Sequence, residues 1–441
     1  MASFVRDLIA VTIMLGVMIF VHEWGHFIAA KLCRVRVDVF SFGFGTRLWG
    51  VKRGDTDYRL SALPFGGYVR MAGDNVTEER TGADYEYLSK SRWQRFLIAV
   101  AGPAMNVLLA LVIFWGIYSI VGMPVDTDLQ TPPNVVAVPV DPPAATGIQV
   151  GDRILAVNGV KTPTWEEVLT KVGQAAPGSV LSITVLRSGA QQTLRAQVPN
   201  RTISADSLVG YPPLSTVIDD VEMGFPAEKS GMKPGDKIVS IDGEPVVAWN
   251  QVVEAVYKSG GHSMNFVVNR NGADVPLAIT PVQGVTPDAQ TVWQIGIVRK
   301  THEVYQKEGI VEAVKDASIE TYLSMRQIVE VVGGLFSGKV SLRELQGVVG
   351  IARVSGQAAK RGPVTFLGLM AIISLNLGLL NLFPIPVLDG GHVLLLAIEG
   401  VLRRDLSVAV KERFVQVGLV FILGIFAFVM YSDILRIIQS H

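Results

Sequence analysis

The chain of 441 residues has a single cysteine, Cys33, so no disulfide can form within it and cysteine usage carries no information about compartment. Leu32 also stands where a lipidated cysteine would need a small residue before it. Charge is scarce as well. Asp, Glu, Lys and Arg make up 18% of the residues and balance to zero, with no block of one sign, which excludes the electrostatic footprint of a nucleic-acid-binding protein. No G-x-S-x-G or comparable serine motif occurs, which removes the nucleophile-elbow hydrolases and the serine proteases of the envelope. Near the N-terminus no small-x-small cleavage site follows a short apolar core. Cutting after Ala29-Ala30 would discard two histidines, so the first apolar run, preceded by Arg6, reads as a retained span rather than a signal peptide.

What the chain has in quantity is apolar sequence, with a mean hydropathy of +0.38. Its length allows two or three domains. Four stretches, 8–32, 96–121, 364–388 and 415–431, approach the length of about 20 apolar residues that a bilayer requires. The segment between the first two is rich in Lys and Arg, including Arg34, Arg36, Arg47, Lys52 and Arg53, and Arg403, Arg404, Lys411 and Arg413 lie between the last two. The positive-inside rule puts both segments in the cytoplasm. The N-terminus, the long middle segment and the C-terminus then face outward.

The first apolar run contains His22-Glu23-Trp24-Gly25-His26. Histidines at i and i+4 share one helix face and can share a zinc ion, while the glutamate between them is placed to act as general base on water. Ionisable groups in a membrane span are costly and usually functional. The third run also travels inward and ends in Asn381-Leu382-Phe383-Pro384-Ile385-Pro386-Val387-Leu388-Asp389-Gly390. Two prolines within three residues cannot continue a regular helix, so the backbone is expected to unwind around Ile385. Asp389 then arrives at the depth of the histidines as a candidate third ligand, leaving a fourth tetrahedral position open as a catalytic site requires. Taken alone, Asp389 could equally cap or turn the chain before Gly390-Gly391. His392 is expected to face solvent, and His262, His302 and His441 to lie on the surface.

H-E-x-x-H in a first span with N-x-x-P-x-P-x-L-D-G in a third resembles the site-2 protease family of intramembrane zinc metalloproteases. The four-span layout with a long exported insert is similar to its bacterial branch that acts on the anti-sigma factor of the envelope stress response. The resemblance implies one Zn2+ per chain held by His22, His26 and Asp389, with Glu23 as catalytic base and Asn381 holding the substrate or its polarised carbonyl. Gly102-Pro103-Ala104-Met105-Asn106 resembles a further family motif, which adds Asn106 to the substrate or oxyanion group. Asn381 and Asn106 could also simply bond helix to helix.

The middle segment contains a duplication. Thr146-Gly147-Ile148-Gln149-Val150-Gly151-Asp152-Arg153-Ile154 recurs as Ser230-Gly231-Met232-Lys233-Pro234-Gly235-Asp236-Lys237-Ile238, and Trp165 maps onto Trp249 by the same 84-residue step. Two copies at so long a period indicate duplicated domains rather than a solenoid. In each, G-D-x-I reads as a turn entering a buried strand, Asn158-Gly159 or Asp242-Gly243 as a tight turn, and Trp165 or Trp249 as a helix start. Both copies look like PDZ domains, which accept an extended peptide by strand addition or act as spacers.

The expected fold class is therefore a polytopic α-helical membrane protein with four transmembrane helices and two inserted PDZ domains, small α+β barrel-like folds on the periplasmic side. The blocks are 1–33 (first span with H-E-x-x-H), 34–95 (cytoplasmic loop), 96–121 (second span), 127–200 and 210–283 (PDZ domains), and 300–362 (amphipathic or linker helices). They continue with 364–392 (third span with the L-D-G motif), 393–414 (cytoplasmic loop) and 415–435 (fourth span). Residues 58–71 form two alternating runs around Pro64-Phe65-Gly66-Gly67, a hairpin signal. The resemblance implies a re-entrant hairpin that pairs with substrate through Leu63, Phe65, Gly66, Gly67 and Tyr68.

The expected function is cleavage of single-span membrane proteins, of anti-sigma factor type and including remnant signal peptides, after a first periplasmic cut. The expected setting is a bacterial inner membrane, with both termini and the PDZ domains periplasmic and the active site toward the cytoplasm. The expected partners are that substrate and the lipid bilayer, with no nucleic acid, and the working unit a monomer. The alternative is a membrane-anchored PDZ scaffold or chaperone without chemistry, which Glu23→Gln would leave active.

Overall fold

The computed structural model describes residues 2–74, 81–140, 146–199, 205–222, 224–285, 291–307, 309–337 and 347–439. Among them, four helices are long and apolar enough to cross a membrane: Val5–Leu32, Arg92–Ile120, Pro363–Asn381 and Val408–Tyr431. The chain forms two compact units, one mainly Met1–Met123 with Lys307–Arg436, the other mainly Pro124–Thr286 with Gln290–Gln306.

The first unit opens with helix α1 (Ala2–Leu32), which carries the H-E-x-x-H residues. Two long strands follow, β1 (Val37–Arg53) and β2 (Thr56–Met71), and they turn at Gly54-Asp55. The sequence pattern predicts a hairpin within 58–71. The register shows instead that β1 lies between the two arms of β2: Val39 faces both Arg70 and Asp57, and Phe42 faces both Gly67 and Leu60. Alternation marks both arms as strands but does not name their partner, which is why the local reading pairs them with each other. Helix α2 (Arg92–Ile120) begins at a capping box, with Ser91 Oγ accepting from the Gln94 amide at 3.3 Å and Gln94 Oε1 from the Ser91 amide at 3.2 Å.

The second unit starts at β3 (Met123–Asp126) and runs through β4 (Arg153–Val157), β5 (Val160–Lys161), α3 (Trp165–Gly173), β6 (Val180–Arg187) and β7 (Ala190–Gln197). Then come α4 (Asp206–Val209), β8 (Ile218–Val221), α5 (Pro226–Lys229), β9 (Lys237–Ile241), β10 (Glu244–Pro245), α6 (Trp249–Lys258), β11 (Met264–Arg270) and β12 (Ala273–Ile279). It closes with β13 (Val282–Val285), β14 (Thr291–Gln294), β15 (Ile297–Arg299) and β16 (Glu303–Gln306). Two sheets share one plan, with orders β5-β4-β6-β7 and β10-β9-β11-β12. Each has its tight turn where the sequence places one, Asn158-Gly159 at φ 50° and 77° and Asp242-Gly243 at φ 51° and 87°, the left-handed pair that such hairpins need.

Each sheet also buries one carboxylate against one arginine. Asp152 is gripped by Arg187 at 2.6 and 2.7 Å and Asp236 by Arg270 at 2.7 Å through both oxygens, and each arginine also donates to the Gly147 or Gly231 carbonyl. Burial alone would raise these carboxyl pKa values, but the arginine hydrogen bonds hold both below the usual range. Strand β8 pairs with β15, which lies beyond the expected block 210–283.

The first unit resumes with α7 (Ile310–Phe336), whose Ala313 and Ala317 are fully buried with Ala110 and Phe114 of α2. Helix α8 (Val348–Arg361) packs on α1, where Ser355 Oγ lies 3.5 Å from Met14 Sδ. Helix α9 (Pro363–Asn381) packs on α2, then residues 382–388 are non-helical and α10 (Asp389–Leu402) begins. The third apolar stretch is thus a shorter helix than 364–388, broken where Pro384 and Pro386 remove two amide donors. The block 393–414 is not simply a loop, because α10 runs to Leu402 and α11 (Val408–Gln439) begins soon after. Its basic residues partly serve as ion-pair partners. Glu399, 1% exposed, takes Lys411 at 2.7 Å and Arg95 at 3.7 Å, which ties the start of α11 to α10 and α2.

Candidate metal centre

Helical spacing puts His22 and His26 on the face of α1 that meets α2. Both are nearly buried, at 7% and 9% exposure. His26 Nδ1 donates to the Ile98 carbonyl at 2.7 Å, an acceptor only, so the proton sits on Nδ1 and Nε2 presents a lone pair. Pro103 contributes to that turn: lacking an N–H, it leaves the Ala99 carbonyl without its helical partner and loosens the ladder next to Ile98. His22 Nε2 lies 3.2 Å from His26 Nε2.

Asp389 completes the group, with carboxylate oxygens 3.1 Å from His22 Nε2 and 3.4 Å from His26 Nε2. It is the first residue of α10, where the helix dipole favours a negative charge. The unwound segment delivers it there at a conformational cost. Val387, a β-branched residue, has φ 82°, strain of order 1–3 kcal/mol that surrounding structure has to impose. His22, His26 and Asp389 are a set of three potential ligands with one atom each within 4.8 Å of one another. Ligand bonds of about 2.05 Å in a tetrahedron set neighbouring donors about 3.3 Å apart, a spacing the two ring nitrogens already have at 3.2 Å, while the carboxylate meets each of them through a different oxygen.

Glu23 stands between the histidines and next to the sheet. Its Cγ is 3.4 Å from where a Cβ on Gly67 would lie. The segment holding Gly66, Gly67 and Tyr68 pairs with β1 on one side, and no strand among the described residues flanks its other side. Leu63 faces Phe44 of β1; Phe65 falls in the same strand, although its side chain lies outside the described residues. Asn381, in the last turn of α9, points its Nδ2 at His22 Nε2 from 3.5 Å. Asn106 is fully buried, and its side-chain amide lies 3.2 Å from His22 Nδ1, so it meets the outer edge of the ring rather than the centre itself.

His392 is exposed, as expected, and lines a cavity of about 520 Å³ with Tyr87, Arg95, Glu399, Lys411 and Glu412. His302 is exposed and within 3.1 Å of Asp128 Oδ1, whereas His441 lies outside the described residues.

Two features escape a sequence reading. No local signal marks the Ile98 carbonyl as a partner of His26. Gly102 is visible in its motif, but its role is steric: a Cβ there would run into His26 Nε2 and lie 2.8 Å from His22 Nε2. Gly102→Ala is therefore expected to displace both imidazoles and weaken zinc binding at least tenfold, with the thermal transition of the purified protein little changed. Chelator competition and calorimetry on the same sample check this, and unchanged zinc affinity would contradict it.

The family model described as Peptidase family M50 matches residues 10–425, a span that contains the whole centre. The chain belongs to peptidase family M50. Similar proteins match it from end to end. The regulator of sigma-E protease RseP of Escherichia coli (strain K12) is 32% identical over 462 aligned positions, which cover 99% of this chain and all of that protein. The regulator of sigma E protease of Haemophilus influenzae is 32% identical over 458, with the same coverage. A Vibrio cholerae protein whose name describes a zinc metalloprotease is 32% identical over 464, again covering 99% of this chain and all of its own.

Proposed function

We propose that this M50 peptidase is an intramembrane zinc metalloendopeptidase that hydrolyses a peptide bond within or beside the transmembrane segment of a single-span membrane protein. The observation that carries the reading is the convergence of His22 Nε2, His26 Nε2 and the Asp389 carboxylate beside Glu23, on helices apolar enough to span a bilayer. His22, His26 and Asp389 hold the metal. Zinc, when bound, supplies a Lewis acid that polarises the scissile carbonyl and brings the pKa of water toward about 7. Glu23 takes the proton of the attacking water and later delivers it to the leaving amine. The Asn381 amide, aimed into the centre, steadies the substrate carbonyl.

A transmembrane helix hides its peptide bonds in internal hydrogen bonds, so it has to unwind before hydrolysis. The free side of the strand segment around Gly66, Gly67 and Tyr68 offers replacement partners by strand addition, next to Glu23. In the orientation proposed from charge bias, the termini and the duplicated domains are periplasmic in a bacterial inner membrane and the centre lies toward the cytoplasm. The two domains are PDZ domains that admit substrate only after its external part has been trimmed. The substrate class is an anti-sigma factor or another single-span remnant, a reading supported by relatives whose names describe regulators of sigma-E.

The test uses purified full-length protein in detergent with a single-span substrate in intact and trimmed forms. The trimmed form is expected to be cut, the cut to disappear on chelation and to return with zinc, and the intact form to be spared. Cleavage that survives complete removal of metal would contradict the assignment. An intact substrate still spared after deletion of residues 134–282 would count against the gate.

A further inference from the structure

Asn106 is a fully buried polar side chain beside the centre, and its amide leaves one polar atom without a partner. Its Nδ2 approaches His22 Nδ1 at 3.2 Å, while its Oδ1 meets no donor. The rest of the site conflicts with that amide orientation. An Asn N–H donating to Nδ1 requires Nδ1 to be the unprotonated nitrogen of His22, which puts the proton on Nε2. Yet Nε2 is the nitrogen that faces His26 Nε2 at 3.2 Å and Asp389 at 3.1 Å, where a ligand's lone pair is needed. His26 solves the same problem the other way round, with its Nδ1 proton on the Ile98 carbonyl.

The oxygen and nitrogen of an amide are interchangeable by a half-turn, and the choice between them is made from the hydrogen-bond network. Turning Asn106 by that half-turn forfeits no hydrogen bond at the Oδ1 position, since none is made there. It places an acceptor on His22 Nδ1 and frees Nε2. The backbone of α2 is well fixed at this point for such a role. The Asn106 carbonyl accepts from Ser374 Oγ at 2.9 Å, and α9 comes so close at Gly378 that a Cβ there would lie 3.1 Å from Asn106 Cβ.

We infer that Asn106 is a positioning residue whose side-chain oxygen accepts the His22 Nδ1 proton and so keeps the His22 Nε2 lone pair turned into the metal centre. The inference rests on the proposed reading that His22, His26 and Asp389 bind zinc, and it assigns the two histidines matched outer partners, one carbonyl and one amide oxygen, both on α2. Asn106 then acts on the ligand rather than on the substrate. Such outer partners typically contribute 10–100-fold to metal affinity.

The test is zinc affinity by chelator competition, with the visible spectrum of the cobalt-loaded form as a second readout, on full-length protein carrying Asn106→Asp or Asn106→Leu. Asn106→Asp keeps an acceptor of the same shape and is expected to bind zinc within about threefold of wild type, with an unchanged cobalt spectrum. Asn106→Leu offers no acceptor and is expected to lose roughly 10–100-fold in affinity. Wild-type affinity in Asn106→Leu would overturn the inference, as would a loss in Asn106→Asp equal to that in Asn106→Leu. If Asn106→Leu does not fold, the isosteric Asn106→Asp decides alone: a displaced cobalt spectrum overturns the inference. Wild-type protein that binds no zinc would instead overturn the underlying site assignment.

Discussion

Asp389→Ala is expected to strip zinc from the protein and abolish proteolysis together. Two imidazoles on one helix face are the minimum that H-E-x-x-H supplies, and a catalytic zinc site keeps three protein ligands. The third is the Asp389 carboxylate, one oxygen 3.1 Å from His22 Nε2 and the other 3.4 Å from His26 Nε2, and no other His, Cys, Asp or Glu among the described residues joins this cluster. Its loss should therefore exceed the roughly 100-fold that an outer partner contributes to metal affinity. The fold should survive, because the Asp389 side chain is a fifth exposed and, among the described residues, its ion pairs are with the two histidines alone. Elemental analysis after dialysis, beside a cleavage assay, checks both halves. Retained zinc with retained proteolysis would remove Asp389 from the ligand set.

Glu23→Gln is the second large effect, and it should separate chemistry from metal binding. The substitution preserves shape beside Gly67, so the packing of α1 on the sheet is kept, but the amide cannot take a proton from water. The turnover number is expected to fall by about 10²–10⁴-fold, the range for a lost general base, while zinc content and KM stay near wild type. Single-turnover cleavage in detergent measures it. Turnover within a few-fold of wild type would leave Glu23 without the role and would revive the reading of a scaffold without chemistry.

The two halves of the site differ in why they can be read from sequence. His22, Glu23 and His26 are legible because four residues make one helical turn, a local relation. Asp389 is legible by a longer route, since Pro384 and Pro386 forecast the break that the structure has at residues 382–388. What surrounds these residues depends on which helix packs on which, and no local pattern encodes that. The Ile98 carbonyl carries no side-chain signal at all. Gly102 is simply an absence of atoms where two imidazoles need room.

The same limit applies to the fold. The apolar runs identify all four helices that, among the described residues, are long and apolar enough to span a membrane, and the observed bounds shift mainly where α9 stops at Asn381 and α11 starts at Val408. The duplicated G-D-x-I stretches anticipate two like sheets, down to their Asn-Gly and Asp-Gly turns. The insertion of β1 between the arms of β2 is a long-range pairing that alternation cannot specify.

The most direct test of the account is to map the bond that is cut. Purified protein is reconstituted with a trimmed single-span substrate, and both fragments are identified by intact-mass measurement, with Glu23→Gln as the control. A single cut inside the apolar segment is expected, dependent on zinc and absent in Glu23→Gln. A cut confined to the soluble flank, or the same fragments from Glu23→Gln, would contradict it.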